Sequence, residues 1–160
     1  MTYTVTKDLV DAFYDAFIKP DADKLAGLVH DDVRWTTRGP IEILSFCGAH
    51  RGKAHVLKLA TQILPGLFGD IRLVRESLVI DGDRAAVLNF QTAQRRSDGR
   101  IITYRFAHFF RFKDDKLIET TTIIDTFNAA EQVLGHALPL DGALTPPDAK
   151  PAALNDLVFL

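Results

Sequence analysis

Residues 100–125, RIITYRFAHFFRFKDDKLIETTTIID, constrain the fold more than any other stretch. Over 101–112, one parity holds Ile102, Tyr104, Phe106, His108, Phe110 and Phe112. The other holds Ile101, Thr103, Arg105, Ala107, Phe109 and Arg111. Side chains alternate across a strand, so the first set makes an aromatic face and the second a mixed, partly charged one. β-branched and aromatic residues also suit a pleated, half-buried surface. Lys113-Asp114-Asp115-Lys116 supplies a tight turn, because Asp tolerates the dihedrals involved and bonds its own backbone. Residues 116–124 return at matching length, which predicts an antiparallel hairpin with Ile118, Thr120, Thr122 and Ile124 turned inward beside the aromatic face.

Upstream, Asp81-Gly82 between residues 71–80 and 84–95 is a strong hairpin signal, and Ser97-Asp98-Gly99 makes the next turn. Four consecutive strands therefore form an antiparallel meander. The N-terminal half is helical in period. Thr6 can cap a helix carrying Leu9, Val10, Phe13 and Phe17, which Pro20 ends. Asp21 can cap a second helix, finishing near His30. A brief strand at 33–37 sets Val33, Trp35 and Thr37 on one face. Residues 39–52, with three glycines and Pro40, read as a long loop, and 53–64 as a third helix stopped by Pro65-Gly66. Residues 126–134 read as a short helix closed by Gly135. Helices followed by a curling meander define an α+β domain over 1–135, with a pocket between sheet and helices. Residues 136–160 form a Pro-rich extension. Its apolar ending, Leu157-Val158-Phe159-Leu160, predicts an arm packed on its own domain or on a partner subunit.

Bulk properties narrow the partners. Across 160 residues the formal charge is -2, which gives no footing for nucleic acid or an anionic membrane. One cysteine, Cys47, excludes an internal disulfide and a cysteine-based zinc cluster. Five histidines show no metal-ligand spacing, and no phosphate loop or nucleophile elbow is present. Neither a secretory segment nor a membrane-length apolar run is evident, so the expectation is a cytoplasmic protein without cofactor or metal. Arg95-Arg96 and Arg100 read as the solvated flanks of a turn.

Several motifs carry a resemblance: Phe13-Tyr14-Asp15-Ala16-Phe17; Asp31-Asp32-Val33-Arg34-Trp35; residues 47–56 (CGAHRGKAHV); Phe109-Phe110-Arg111-Phe112; Lys116-Leu117-Ile118-Glu119; and Asp125. In this order and spacing the chain resembles the SnoaL-like branch of the nuclear-transport-factor-2-like superfamily over residues 7–134. The resemblance implies a cone-shaped α+β barrel with a deep pocket, dimerising through the outer sheet face. It also implies a range of activities, among them ketosteroid isomerases, polyketide cyclases, epoxide hydrolases and dehydratases, alongside proteins that only bind or assemble. Fold does not decide among them.

The candidate catalytic residues are His108, Tyr104 and Asp125. His108 sits mid-face, where an imidazole can exchange a proton near physiological pH, although a satisfied core histidine fits the same position. Tyr104, two positions away, can orient a substrate oxygen. Asp125 stands where the resemblance places an acidic residue, but strand parity turns it outward and Asp is a preferred helix cap. Candidate binding residues are Phe13, Phe17, Trp35, His50 at the cavity mouth, Phe106, Phe110 and Thr122. Thr122 falls where the resembling epoxide hydrolases carry a carboxylate, so their water-activating arrangement is missing. Asn89 and Gln91 face either the cavity or a dimer interface. The expected function is a small-molecule-binding protein that isomerises, cyclises or dehydrates a small apolar substrate by proton transfer. The rival is a non-catalytic binding or scaffold module.

Overall fold

Two helices open the chain, each started by the side chain expected to cap it. Thr6 accepts the Leu9 amide at the head of α1 (Lys7–Ile18), and Asp21 accepts the Lys24 amide at the head of α2 (Ala22–Leu28). The computed structural model describes residues 4–139. The chain passes directly from α2 into β1 (Val29–Arg38), longer than the expected strand because it picks up pairing from Val29 onward. The predicted loop over 39–52 contains a further strand, β2 (Gly48–Arg51), which runs antiparallel to β1 at the sheet edge. Four residues are too few for a period to show.

The next helix differs from expectation at its end. α3 (Lys53–Lys58) widens into a π-helical turn (Leu59–Ile63) and continues as α4 (Leu64–Leu67), through Pro65 and Gly66. A proline ring clashes with the carbonyl four residues earlier in a regular helix. The wider turn just before Pro65 relieves that clash, and Pro65 opens α4 at a position where its missing N–H costs nothing.

The meander follows as β3 (Phe68–Asp81), β4 (Arg84–Arg95), β5 (Ile101–Lys113) and β6 (Lys116–Ile124), and then α5 (Thr126–Leu134). Asp114 and Asp115 both take positive φ in the β5–β6 turn, as the turn requires. Gly135, at φ +82°, closes α5. The sheet order is β2-β1-β6-β5-β4-β3, antiparallel throughout except that β1 lies parallel to β6. β5 alternates buried and open residues along its whole length, with the aromatic parity inside. On β6 a bulge at Ile118 shifts the register, so Leu117 rather than Ile118 is buried, and Thr120, Thr122 and Ile124 follow inward. Val10 and Phe13 of α1, Leu25, Val33, Val56, Leu59, Phe110, Phe112 and Leu117 form the core between helices and sheet. Full burial of a ring such as Phe13 contributes about 2–3 kcal/mol each. Among the described residues no helix is long and apolar enough to cross a membrane. The predicted C-terminal arm lies, from residue 140 on, outside the described residues.

Candidate functional site

The inner sheet face and the helices enclose a cavity of about 50 Å³. Phe17 of α1, Trp35 and Thr37 of β1, Gln91 of β4, Tyr104, Phe106 and His108 of β5, and Thr122 of β6 line it, together with Phe46, Leu59, Leu64, Phe68 and Ile71. No carboxylate, lysine or arginine is among these residues, so the cavity is electrically neutral and mainly apolar.

Its polar groups are organised from behind. Asn89 Nδ2 donates to the Tyr14 hydroxyl at 2.9 Å, and that hydroxyl lies 2.7 Å from His108 Nδ1. Tyr14 does not line the cavity. A phenol has one hydrogen, and its oxygen already accepts from Asn89. Every group is satisfied when Tyr14 O–H donates to Nδ1, which leaves the imidazole proton on Nε2. The one ring nitrogen left for the cavity is then a donor. Burial pushes the His108 pKa down from 6.5 to about 3, so the ring stays neutral across the physiological range. Against the expectation of a histidine exchanging protons near pH 7, burial holds His108 neutral there, as a hydrogen-bonding group rather than a titrating one.

A second amide–phenol pair repeats the arrangement. Gln91 Nε2 donates to the Tyr104 hydroxyl at 3.0 Å, leaving the Tyr104 hydrogen to point elsewhere. Desolvation raises both phenols above their ordinary 10, against smaller lowering by the amide hydrogen bonds. Both therefore stay protonated. Trp35 Nε1 donates to Thr37 Oγ1 at 3.1 Å. Thr122, directly across from His108 in the sheet, has a buried hydroxyl with no hydrogen-bond partner among the described residues. Such an orphan is costly unless something entering the cavity satisfies it.

Of the expected site residues, His108, Tyr104, Trp35, Phe17, Phe106 and Thr122 line the cavity. Phe13 and Phe110 do not. They pack edge-on at 5.2 Å behind the wall as core. His50 sits on edge strand β2 directly opposite Trp35 but is not among the residues that line the cavity. Asp125 is exposed and caps α5, its carboxylate accepting the Asn128 amide at 3.3 Å. The helix start that competed for this carboxylate has it, so Asp125 is no part of the cavity. Asp125→Ala should cost about 1 kcal/mol of stability in urea unfolding. The fluorescence response of Trp35, the single tryptophan, to a cavity ligand should be unchanged. A lost ligand response in a folded variant would return Asp125 to the site. Cys47 is buried and its thiol pushed up to about 11, so it serves as a small apolar residue.

Tyr14 and Asn89 are the residues that strand parity left unplaced or unnoticed. A signal existed: Val10, Phe13, Tyr14 and Phe17 share one stripe of α1, and a hydroxyl on a buried stripe needs a partner.

A helix-roofed, curved sheet around a neutral hollow defines the nuclear-transport-factor-2-like class of α+β cone. The family model of the SnoaL-like domain matches residues 10–120, and the chain belongs to this SnoaL-like family. A candidate isomerase from Rhodopseudomonas palustris is 31% identical, with 82% of this chain and 100% of that one covered and a TM-score of 0.74. A nuclear-transport-factor-2-like protein of unknown function from Burkholderia pseudomallei is 24% identical (79% and 93% covered, TM-score 0.68). TerC, co-crystallised with polyporic acid, is 23% identical (79% and 96% covered, TM-score 0.69). The last two show the fold alone. No curated protein matches the chain.

Proposed function

We propose that the cavity binds a neutral, largely apolar small molecule through an oxygen that accepts a hydrogen bond from His108 Nε2–H. The observation that carries this reading is the Asn89–Tyr14–His108 chain, which holds the imidazole in one tautomer from outside the cavity. A neutral imidazole donating to a carbonyl polarises it and stabilises an enolate oxygen as charge develops. Tyr104 O–H is a second donor on the same cavity, and the Thr122 hydroxyl can complete the set. The chemistry this supports is cofactor-independent isomerisation, aldol-type cyclisation or dehydration. With no carboxylate base in the lining, the substrates turned over would be those whose C–H proton is already acidic. The same lack of a base favours a second reading, in which the cavity binds without turnover.

Trp35 lines the cavity and reports on its occupancy. Titration with propiophenone should change its emission saturably, the ligand's ring displacing the shared side chains Phe17 and Leu64 toward the neighbouring hollow because about 50 Å³ alone does not hold it. Benzoate, of similar shape but charged, should not, because the cavity offers no counter-charge. His108→Ala should weaken propiophenone binding roughly tenfold, the worth of one well-placed hydrogen bond. Equal responses to the two probes, or unchanged affinity in a folded His108→Ala protein, would end the reading. Turnover of an activated diketone by the wild type but not by His108→Ala separates enzyme from binding module.

A further inference from the structure

Phe17, Leu64, Phe68 and Ile71 line the inner cavity and also a second hollow of about 160 Å³, which reaches the surface beside Pro20, Asp70 and Arg96. These apolar side chains border both hollows. Leu64 belongs to the segment where the helix changes from π to α pitch, and π turns recur beside functional sites.

Two charged residues, Asp70 and Arg96, stand at the outer end without an ion-pair partner among the described residues. Asp70 lies in a β-bulge. Gly69 faces Gln94 and Arg72 faces Thr92, so three steps along β3 span two along β4. Its φ of +48° is a conformation that few non-glycine residues hold. Of the arginines flanking the 97–99 turn, Arg95 and Arg100 clamp Asp98, as solvated flanks would. Arg96 leaves the turn instead. Its Nε donates to the Pro65 carbonyl at 2.6 Å, and its guanidinium lies over Gly69, where an added Cβ would come within 3.4 Å. Among the described residues, neither Asp70 nor Arg96 forms an ion pair, with the other or with any third group. The mouth therefore presents an unused acceptor and unused donors. A carboxylate there would gain Arg96 and be opposed by Asp70, and a cation the reverse. A neutral group that both accepts and donates satisfies both.

Resting on the proposed reading of the inner cavity, we infer that the two hollows form one site for an elongated neutral molecule. Its carbonyl end meets His108, an apolar linker passes Phe17, Leu64, Phe68 and Ile71, and a terminal carboxamide or hydroxyl bridges Arg96 and Asp70. The test uses propiophenone extended at the para position by chains of two to six methylenes ending in methyl, carboxamide or carboxylate, read by Trp35 emission. At the best length the carboxamide should bind about tenfold tighter than the methyl chain, the worth of its new hydrogen bonds. Arg96→Ala and Asp70→Asn should each abolish that advantage and leave propiophenone itself unaffected. Asp70→Gly relieves the φ constraint, so it should hold or raise Tm while losing the advantage too. Equal affinity for carboxamide and methyl chains, an advantage surviving both substitutions, or tightest binding of the carboxylate would each overturn the assignment. Propiophenone binding without any effect of the tail overturns this inference alone. Failure of propiophenone to bind at all overturns the inner-cavity reading as well.

Discussion

Acid should unfold this protein through His108. In the unfolded chain the imidazole titrates near its ordinary 6.5, and in the fold at about 3. Between those values the unfolded state takes up a proton that the folded state refuses, so stability rises with pH across the window. The contribution is fully present above about pH 6.5 and is lost as pH falls, by roughly 3 kcal/mol at pH 4 and roughly 4 kcal/mol near pH 3. The surroundings offer the imidazolium nothing. Neutral Tyr14 from α1, Trp35 from β1, Phe106 and Phe110 from β5 and Thr122 from β6 face it. Arg75, whose guanidinium sits 5.4 Å from the Tyr14 ring centre, is itself positive. Urea unfolding of wild type and His108→Gln at pH 7, 5 and 4 checks this. Asp11, Asp31 and Asp98, held low by hydrogen bonds from Lys7, Lys53 and Arg95 respectively, act equally in both proteins and cancel in the comparison. Parallel stability–pH curves would sink the account.

The second large effect is expected from Tyr14→Phe, which removes one oxygen and leaves the ring. Stacking on His108 at 5.8 Å and the Arg75 contact survive, but Asn89 Nδ2 and His108 Nδ1 both lose their partner in a dry interior. Two orphaned buried groups cost about 2–4 kcal/mol together. The substitution should also free the imidazole to redistribute its proton. In wild type the ¹⁵N shifts of His108 should report protonation at Nε2 alone, and in Tyr14→Phe a mixture or the other tautomer. Affinity for propiophenone should fall alongside. A variant that loses stability yet keeps the Nε2–H signature would make Tyr14 a packing residue only.

The elements with a clear period were legible in the sequence. Parity along 101–112 placed Tyr104, Phe106 and His108 inward, and the Asp-Gly and Asp-Asp turns fixed the strand pairs. What parity does not separate is a side chain that faces a hollow from one that faces solid core, so Phe110 and Phe13 were indistinguishable from Phe106 and Phe17. The Tyr14–His108 contact spans 94 positions and depends on how α1 crosses the sheet. No local pattern encodes that angle. Pro65 misled because the proline rule assumes α pitch, and the preceding π turn breaks that assumption. The role of His108 shifted for a related reason: its residue type suggests a titrating group, but its burial decides that it does not titrate near neutrality.

The parallel pairing of β1 with β6 has a consequence for how the polypeptide is made. During synthesis the first strand has no neighbour to dock on from that side until the last one has left the ribosome. Until then β1 has only β2 beside it, and Trp35 has only the α1 rings Phe13 and Phe17 to pack on. A stop codon between residues 113 and 116 would therefore leave β3–β5 with α1 held on them through Tyr14 and Asp11, and β1 without the strand that joins it to the sheet.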